Sequence, residues 1–467
     1  MVTVKVVIVG CTHAGTMAAQ QIIAANPDAE VTIYERDTNI SFLSCGIALY
    51  LDQTVKHLED MFYSSPEALE KMGVAVKTEH NVLEIDAAKK RLRIVNMRTD
   101  EVFDDHYDKL IMTTGSNAIV PPLRGIDASR VLMCKTYDHA KEIKRSAEDA
   151  DTIALIGGGY VGVELAESYA RTGHRVLLFQ SHDQILKHYI DRDGSTRLID
   201  LLHQHGVEVY LNHRVRSFEQ GDENQIAINT NHEKFEADIA IVTTGFMPVT
   251  ELLEYQVDMD RHGAILVNEF CQTSNPDIYA AGDCCVSHFN PTGESVYAPL
   301  ATNAVRQGMI VGNNVVAGNT MPYVGTQATS AMSLFGETIA STGLTIEYAR
   351  KNGFDADCVR FEGTWRPEYM PTTDKLTITL VYDKKSRLIL GAQLYCQHDV
   401  SQSANAISIA IQNNNTIDDL AFVDMLFQPH FDDPFNYLNL VAQMAVEKER
   451  QAGNHHPRYT ALGNFHN

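Results

Sequence analysis

The sequence predicts an α/β protein with two doubly wound parallel sheets, followed by a smaller domain of mixed α+β structure. Two segments carry one pattern: a β-branched strand, a glycine-rich turn, a helix and a second strand. The first strand and turn are Val4–Val9 and Gly10–Gly15, and the second are Thr152–Ile156 and Gly157–Gly162. Each segment is predicted to form a βαβ unit, and 467 residues suffice for two or three domains.

The spacing of the glycines explains what such a turn can bind. The first glycine permits a tight turn, the middle one lets a phosphate approach, and the third lets the helix pack on the strand. The helix N-terminus then offers free N–H groups and a positive dipole end to a pyrophosphate. The second turn has all three glycines, whereas Thr12 takes the middle position of the first. Glu35, at the end of the strand Val31–Glu35, is placed to accept hydrogen bonds from a ribose diol.

Later segments are predicted to return to these sheets. The strand Tyr107–Ile111 leads into Thr113-Thr-Gly115, and Ile239–Val242 leads into Thr243-Thr-Gly245. A further strand ends in Gly282-Asp283. From about Tyr323 the pattern changes and predicts a separate α+β domain, with strands Leu376–Tyr382 and Leu388–Leu394 and helices Ser403–Gln412 and Leu438–Glu449.

Composition excludes several classes of partner. The net charge is −22, which would repel nucleic acid and anionic lipid. No run of about 18 apolar residues predicts a membrane span, and the N-terminal strand is too short for a signal segment, so we expect a cytoplasmic protein. The eight cysteines contain no C-x-x-C pair and no zinc spacing, so neither a disulfide scaffold nor a metal site is predicted.

Together these motifs resemble the glutathione reductase-like flavoprotein oxidoreductases, and the resemblance covers nearly the whole chain. It implies two Rossmann-like dinucleotide-binding domains plus a C-terminal α+β dimerisation domain, and hence a homodimer. The implied FAD domain is discontinuous, 1–118 and 249–322, with an NAD(P) domain at 119–248 and the dimerisation domain at 323–467. The apolar faces of that last domain would otherwise be exposed.

The resemblance also implies site residues. Asp283 and Gly282 would meet the ribityl chain and pyrophosphate of FAD. The full FAD set is Gly10, Thr12, Ala14, Gly15, Glu35, Arg36, Ser44, Val82, Thr113, Thr114, Gly115, Gly282, Asp283 and Ala301. The implied NAD(P)H set is Gly157, Gly158, Gly159, Tyr160, Val161, Gly162, Glu164, Gln180, Ser181, His182 and Gly245. Tyr160 would gate the nicotinamide and Glu164 would lie beside it.

The segment Ile40–Tyr50 narrows the resemblance. Classical disulfide reductases place two cysteines four residues apart here, whereas this chain has Cys45 followed by Tyr50. Because no local disulfide can form, Cys45 must cycle as thiolate, sulfenate or mixed disulfide. The segment resembles the single-cysteine branch, and within it the water-forming NADH oxidases most. NADH peroxidase and coenzyme A-disulfide reductase remain alternatives.

In this interpretation the catalytic residues are Cys45 and His13, the acceptor is O2 or peroxide, and the Cys45 thiolate attacks peroxide. A free cysteine with a pKa near 8.5 is mostly protonated at neutral pH. If Cys45 opens a helix Gly46–Leu51, the helix dipole favours the thiolate by only about 0.3–1 kcal/mol. His13 and the flavin would supply the rest. His13 and Tyr160 could instead be packing residues only.

Gln180 bears on the choice of nicotinamide. It matches Glu35 at the end of the second strand of the second unit, where NADH-specific enzymes usually carry an acid. A neutral side chain removes a repulsion of about 1 to 4 kcal/mol toward a 2′-phosphate. Ser181 and His182 could hydrogen-bond the phosphate, but no arginine follows immediately. We therefore expect NADH and possibly NADPH to be accepted.

Overall fold

The computed structural model describes residues 4–221 and 225–454. These residues form two compact units, one of 4–182, 206–221, 225–288 and 295–324, the other of 183–205, 289–294 and 325–454. The predicted domain boundaries remain predictions.

The helices and strands of the first 118 residues are β1 (Lys5–Val9), α1 (His13–Ala25), β2 (Glu30–Tyr34), α2 (Ile47–Leu51), α3 (Pro66–Glu70), β3 (Val74–Lys77), β4 (His80–Asp86), β5 (Arg91–Asn96), β6 (Glu101–His106), β7 (Lys109–Met112) and β8 (Ser116–Ala118). Next come β9 (Val131–Met133), α4 (Tyr137–Ala147), β10 (Thr152–Ile156), α5 (Tyr160–Arg171), β11 (Arg175–Gln180), α6 (Arg192–Gln204), β12 (Val207–Leu211), β13 (Val215–Gln220), β14 (Ile226–Thr230), β15 (Lys234–Ala237), β16 (Ile239–Val242) and β17 (Phe246–Pro248).

The remaining elements are β18 (Ile278–Ala280), β19 (Ser287–Phe289), β20 (Glu294–Val296), α7 (Ala301–Ala317), β21 (Ser330–Leu334), β22 (Glu337–Gly343), α8 (Ile346–Lys351), β23 (Ala356–Thr364), β24 (Lys375–Asp383), β25 (Ile389–Cys396), α9 (Ser401–Gln412), α10 (Ile417–Phe422) and α11 (Tyr437–Gln451). Short 3-10 turns lie at Ser44–Gly46, Leu58–Met61 and Glu251–Leu253.

Two five-stranded parallel sheets form the first unit, in the orders β18-β7-β1-β2-β3 and β12-β11-β10-β16-β9. Each is accompanied by a three-stranded antiparallel sheet, β4-β5-β6 or β13-β14-β15. Both parallel sheets have apolar, largely buried strands, because helices or loops cover both of their faces. The predicted α/β fold with two Rossmann-like domains is confirmed.

The helices α1 and α7 pack together on one face of the first parallel sheet. Gly308 and Gly312 of α7 allow this, since a Cβ at Gly308 would lie 2.5 Å from the Ala14 carbonyl oxygen and one at Gly312 would lie 2.6 Å from that of Ala18. The core beneath them includes Val6, Ile8 and Ile33 from the strands. This close approach fixes α1, which begins at the first glycine turn.

The second unit contains the antiparallel sheet β21-β22-β25-β24-β23, with α9, α10 and α11 contributing to its core. This is the predicted C-terminal α+β domain. In the described part of the chain, no helix has the length and apolar character needed to cross a bilayer.

One local prediction is wrong. The helix that follows Cys45 begins at Ile47, not at Gly46, and Cys45 lies inside the 3-10 turn Ser44–Gly46. The Gly46 N–H closes this turn on the Leu43 carbonyl oxygen at 3.0 Å. Gly46 therefore caps a helix of only five residues, and the dipole that Cys45 experiences is weaker than that of a longer helix.

Candidate active site

A cavity of about 280 Å³ lies in the first unit, at the carboxyl ends of the strands of the first parallel sheet. It brings together segments that are far apart in the sequence. Of the predicted FAD residues, all except Gly15 line it: Gly10, Thr12, Ala14, Glu35, Arg36, Ser44, Val82, Thr113, Thr114, Gly115, Gly282, Asp283 and Ala301. The predicted catalytic residues Cys45 and His13 line it too, as do Val161 and Glu164.

Gly15 lies behind the cavity wall and has a packing role. A Cβ on it would lie 2.1 Å from the Gly10 carbonyl oxygen and 2.9 Å from the Thr113 hydroxyl. The third glycine therefore brings α1 against β1, as the motif predicts. Thr113 contacts the end of β1 as well, since its hydroxyl donates to the carbonyl oxygens of Val9 and Gly10 at 3.1 and 2.7 Å.

The N-termini of α1 and α5 fit phosphate groups. Neither has a side-chain cap, whereas Ser or Thr side chains cap α3, α4, α8 and α10. Uncapped N–H groups at a helix start need an acceptor and favour an anion. At the middle glycine of the second turn, Gly159, a Cβ would meet no protein atom within 4 Å. That space suits an approaching pyrophosphate.

Two backbone N–H groups hold the carboxylate of Glu35. Its carboxylate oxygens accept the backbone N–H groups of Cys11 and Asp37 at 2.7 and 2.9 Å. Burial raises the pKa of this carboxyl group, while the Asp37 and Cys11 hydrogen bonds oppose the rise. Each carboxylate oxygen retains acceptor capacity, so the group can also accept from the hydroxyls of a ribose.

Asp283 also lines the cavity. The Ser116 hydroxyl donates to its carboxylate at 2.7 Å, and the Lys135 ammonium lies 3.3 Å from the same oxygen. The neighbouring Gly282 N–H donates to the Gln307 side chain at 2.9 Å, so it is not available to a pyrophosphate. The expected pyrophosphate contact of Gly282 therefore cannot use its N–H group.

Cys45 is the one exposed thiol among the eight cysteines, all of which the structure describes. Although it opens on the cleft, the surrounding protein raises the pKa of its thiol through desolvation, and Lys135 opposes this with its positive charge. Glu164 and Asp283 add to the rise. The surrounding protein thus favours the thiol over the thiolate.

His13 is positioned by Tyr63. The His13 Nδ1 lies 3.0 Å from the Tyr63 hydroxyl, and the two rings stack with centroids 5.5 Å apart. The hydroxyl also donates to the Thr12 carbonyl oxygen at 3.1 Å. Within residues 4–221 and 225–454 no hydrogen bond joins His13 to Cys45. Burial lowers the pKa of His13, so a neutral imidazole is favoured.

Apart from Val161, the residues of the second glycine turn do not line this cavity. Gly157 and Gly158 follow β10, Gly159 is the N-cap of α5, and Tyr160 and Gly162 lie in its first turn. Gly245 follows β16 at the matching crossing. A Cβ on Gly162 would lie 1.9 Å from the Gly157 carbonyl oxygen. The turn thus repeats the close packing of the first one.

Glu164 lies one turn into α5. It lines the cavity together with Cys45. Desolvation and the nearby Glu167 raise the pKa of Glu164 to about 7. A carboxyl group with this pKa can hold or release a proton at neutral pH.

Gln180 ends β11, and Ser181 and His182 follow it. The Ser181 N–H donates to the Gln180 side-chain oxygen at 2.9 Å. His182 is exposed, and Ser181 is half-buried. These three residues lie together at the end of the second strand, as expected from the sequence.

Three residues of the site escaped the sequence prediction: Tyr63, Ser116 and Lys135. Tyr63 forms a hydrogen bond with His13, while Ser116 and Lys135 donate hydrogen bonds to Asp283. None belongs to a motif, and Lys135 lies 148 residues from Asp283 in the sequence. The weak available signal was that Ser116 directly follows the predicted Thr113-Thr-Gly115 crossing.

Comparison with known proteins decides the family. The family model described as pyridine nucleotide-disulphide oxidoreductase matches residues 4–308, and its dimerisation domain matches residues 330–438. This chain belongs to that family. Members of the family are FAD-dependent oxidoreductases, and the predicted resemblance and the predicted FAD cofactor are confirmed.

Individual members are similar over almost the whole chain. An NADH oxidase of Enterococcus faecalis is 50% identical over 444 residues, covering 95% of this chain and 99% of that protein. The structure of a water-forming NADH oxidase from Lactobacillus brevis bound to NADH superposes with a TM-score of 0.95 at 48% identity, covering 97% of this chain and 100% of that one. An engineered water-forming NADPH oxidase bound to NADPH has the same TM-score and identity, covering 96% and 100%.

Proposed function

We propose that this oxidoreductase is a water-forming NAD(P)H oxidase that reduces O2 through FAD and Cys45. The observation that carries the proposal is the single exposed thiol of Cys45, which lines one cavity with His13 and the FAD residues. The 50% identity to an NADH oxidase supports the same activity.

The FAD would lie in the cavity with its ribose at Glu35 and its pyrophosphate at the N-terminus of α1. Asp283, held by Ser116 and Lys135, would accept from the ribityl chain. When bound, FAD accepts electrons from the nicotinamide and passes them to oxygen. The protein would position Cys45 and His13 at this cofactor and Glu164 toward the nicotinamide.

Cys45 would convert peroxide to water. Its thiolate attacks one peroxide oxygen, the O–O bond breaks, and sulfenate and one water form. Two electrons and two protons then return the sulfenate to thiolate and release a second water. Glu164, with a pKa raised to about 7, can supply one of these protons. His13, held by Tyr63, can hydrogen-bond the peroxide.

The nicotinamide cofactor would bind at the second glycine turn. The uncapped N-terminus of α5 and the open space at Gly159 would accept its pyrophosphate. The neutral Gln180, with Ser181 and His182, would leave room for a 2′-phosphate. We infer that NADH and NADPH are both substrates.

Two broader inferences complete the proposal. We infer a homodimer, because the dimerisation model matches residues 330–438 and the second unit exposes several large apolar side chains. We also infer a cytoplasmic location, since all eight cysteines are free, as expected in a reducing compartment.

The deciding experiment measures oxygen consumed per NADH oxidised by the FAD-loaded enzyme, with and without catalase. A ratio of one half without peroxide release supports the water-forming oxidase. Stoichiometric peroxide would contradict it in favour of a two-electron oxidase. Turnover only after addition of peroxide would indicate NADH peroxidase, and turnover only with coenzyme A disulfide would indicate the disulfide reductase.

A further inference from the structure

The two βαβ segments that begin with β1 and β10 resemble each other beyond their glycine turns. In the first βαβ segment, the His80 N–H donates to the carbonyl oxygen of Glu35 at 2.9 Å. In the second βαβ segment, the His213 N–H donates to the carbonyl oxygen of Gln180 at 3.0 Å. Gln180 is the residue that matches Glu35. His80 and His213 thus occupy one equivalent position, just after the third strand of each unit.

The side chains repeat this match. Nδ1 of His80 lies 2.8 Å from the Thr78 carbonyl oxygen, and Nδ1 of His213 lies 2.8 Å from that of Leu211. The residue before each histidine has a left-handed backbone, with φ of 57° at Glu79 and 59° at Asn212. Two independent features therefore give the same alignment.

The strands that follow confirm the register. A bulge interrupts β4 between Val82 and Glu84, and another interrupts β13 between Val215 and Ser217. Each bulge begins two residues after the histidine. The correspondence therefore runs residue by residue, and Arg214 takes the position of Asn81.

In the first βαβ segment, the position that corresponds to Arg214 lines the cavity. His80, Asn81 and Val82 lie in the cavity wall with Glu35, whereas the next residue, Leu83, does not. By the repeat, Arg214 lies beside Gln180, where the adenosine ribose of the nicotinamide cofactor is expected. Arg216 matches Leu83 and lies outside.

Arg214 is suited to bind an anion. Its backbone is fixed, because its N–H donates to the Asn231 side chain at 2.6 Å while that side chain donates to the Asn212 carbonyl oxygen at 3.1 Å. The residue is exposed, and no ion pair engages it among residues 4–221 and 225–454. A guanidinium group binds phosphate oxygens through paired N–H donors.

We propose that Arg214 binds the 2′-phosphate of NADPH, with Ser181 and His182 as further donors, and is the residue that makes NADPH a substrate. The proposal rests on the proposed function, because it requires nicotinamide cofactors to bind at the second glycine turn. No arginine follows Gln180 directly in the sequence, and Arg214, in the connection between β12 and β13, takes that role.

The test compares Arg214→Ala with Arg216→Ala in the full-length, FAD-loaded protein. Calorimetry with 2′,5′-ADP and 5′-ADP measures the 2′-phosphate contribution without any turnover. Arg214→Ala should weaken 2′,5′-ADP binding about tenfold, the size expected for one charge-assisted contact. It should leave 5′-ADP binding unchanged, and Arg216→Ala should leave both unchanged.

Steady-state kinetics give the second readout. Arg214→Ala should lower kcat/KM for NADPH about tenfold and leave kcat/KM for NADH as in the wild type. Wild-type 2′,5′-ADP affinity in Arg214→Ala, or equal losses in both variants, would overturn the proposal. Peroxide release in the oxygen assay would instead overturn the oxidase, and the ADP-binding result would still stand.

Discussion

Cys45 differs from the other cysteines by position rather than by residue type. Cys11, Cys134, Cys271, Cys284, Cys285 and Cys396 are buried, and Cys358 is half-buried. Burial raises the pKa of Cys11, Cys134 and Cys271 to about 12, which makes them poor nucleophiles at neutral pH. Cys45 is the exposed thiol, and Lys135 is its neighbouring cation in the cavity.

Cys45→Ser should separate the two halves of oxygen reduction. The variant should still consume oxygen but release it as peroxide, because no thiolate remains to reduce peroxide to water. Oxygen uptake with and without catalase measures the change from four to two electrons per oxygen. Cys358→Ser, in a half-buried thiol outside the cavity, is the matched control and should form water. Clean water formation by Cys45→Ser would rule out the cysteine cycle.

Lys135→Met should raise the pKa of Cys45 further. The positive charge of Lys135 opposes the effect of desolvation on the thiol, so its loss favours the protonated form. The pH midpoint of Cys45 alkylation by iodoacetamide should therefore move upward. Lys141→Met removes a cation that pairs with Asp138 instead, and should leave the midpoint unchanged. Flavin content must be matched, because Lys135 also pairs with Asp283.

At the scale of elements, the contact between α1 and α7 controls the cofactor site. Gly312→Ala places a Cβ 2.6 Å from the Ala18 carbonyl oxygen and 2.8 Å from the Gln21 side chain. The helices must separate, which should cost about 1–3 kcal/mol of the free energy of unfolding. Thermal denaturation and FAD release measure the effect.

Met309→Ala on the same helix is the control, since Met309 is exposed. It should leave the melting temperature and the rate of FAD release close to those of the wild type. An unchanged melting temperature in Gly312→Ala would contradict the close packing of the two helices.

Most strands could be predicted, because β-branched runs between glycine turns leave few alternatives. The strands Thr152–Ile156 and Ile239–Val242 match the prediction at both ends. The start of α2 could not be predicted, because a 3-10 turn and a helix differ there only in which carbonyl oxygen the Gly46 N–H meets.

The motif part of the site could also be predicted, since strand ends and glycine turns meet at one edge of a parallel sheet. Lys135, Tyr63 and Arg214 could not. Each reaches its place through tertiary contacts, and only the register between β11 and β12 puts Arg214 near Gln180. Local sequence does not encode that register.

At the scale of the whole molecule, the second unit has an exposed apolar segment between α10 and α11. Leu426, Phe427, Phe431 and Phe435 are each at least half exposed, at 66%, 50%, 64% and 54%. Side chains of this size gain about 1.5–3 kcal/mol each on full burial. A second copy of the chain would cover them.

Phe427→Asp combined with Phe431→Asp should therefore convert the proposed dimer to a monomer. Two charges at the apolar contact would have to be desolvated on association. Sedimentation velocity measures the change in mass. Tyr255→Asp, at a 96% exposed side chain of the first unit, is the control. A double variant that sediments like the wild type would place the dimer contact elsewhere.

The exposure of one thiol among eight has a practical consequence. A chromogenic disulfide reagent should react rapidly with one thiol per chain of the reduced enzyme. It should react rapidly with none once the sulfur of Cys45 carries an oxygen atom. The burst amplitude then reads the oxidation state of the active sulfur directly, in intact protein and without spectroscopy of the flavin. Samples inactivated during storage could be sorted the same way, by whether a mild reductant restores the burst.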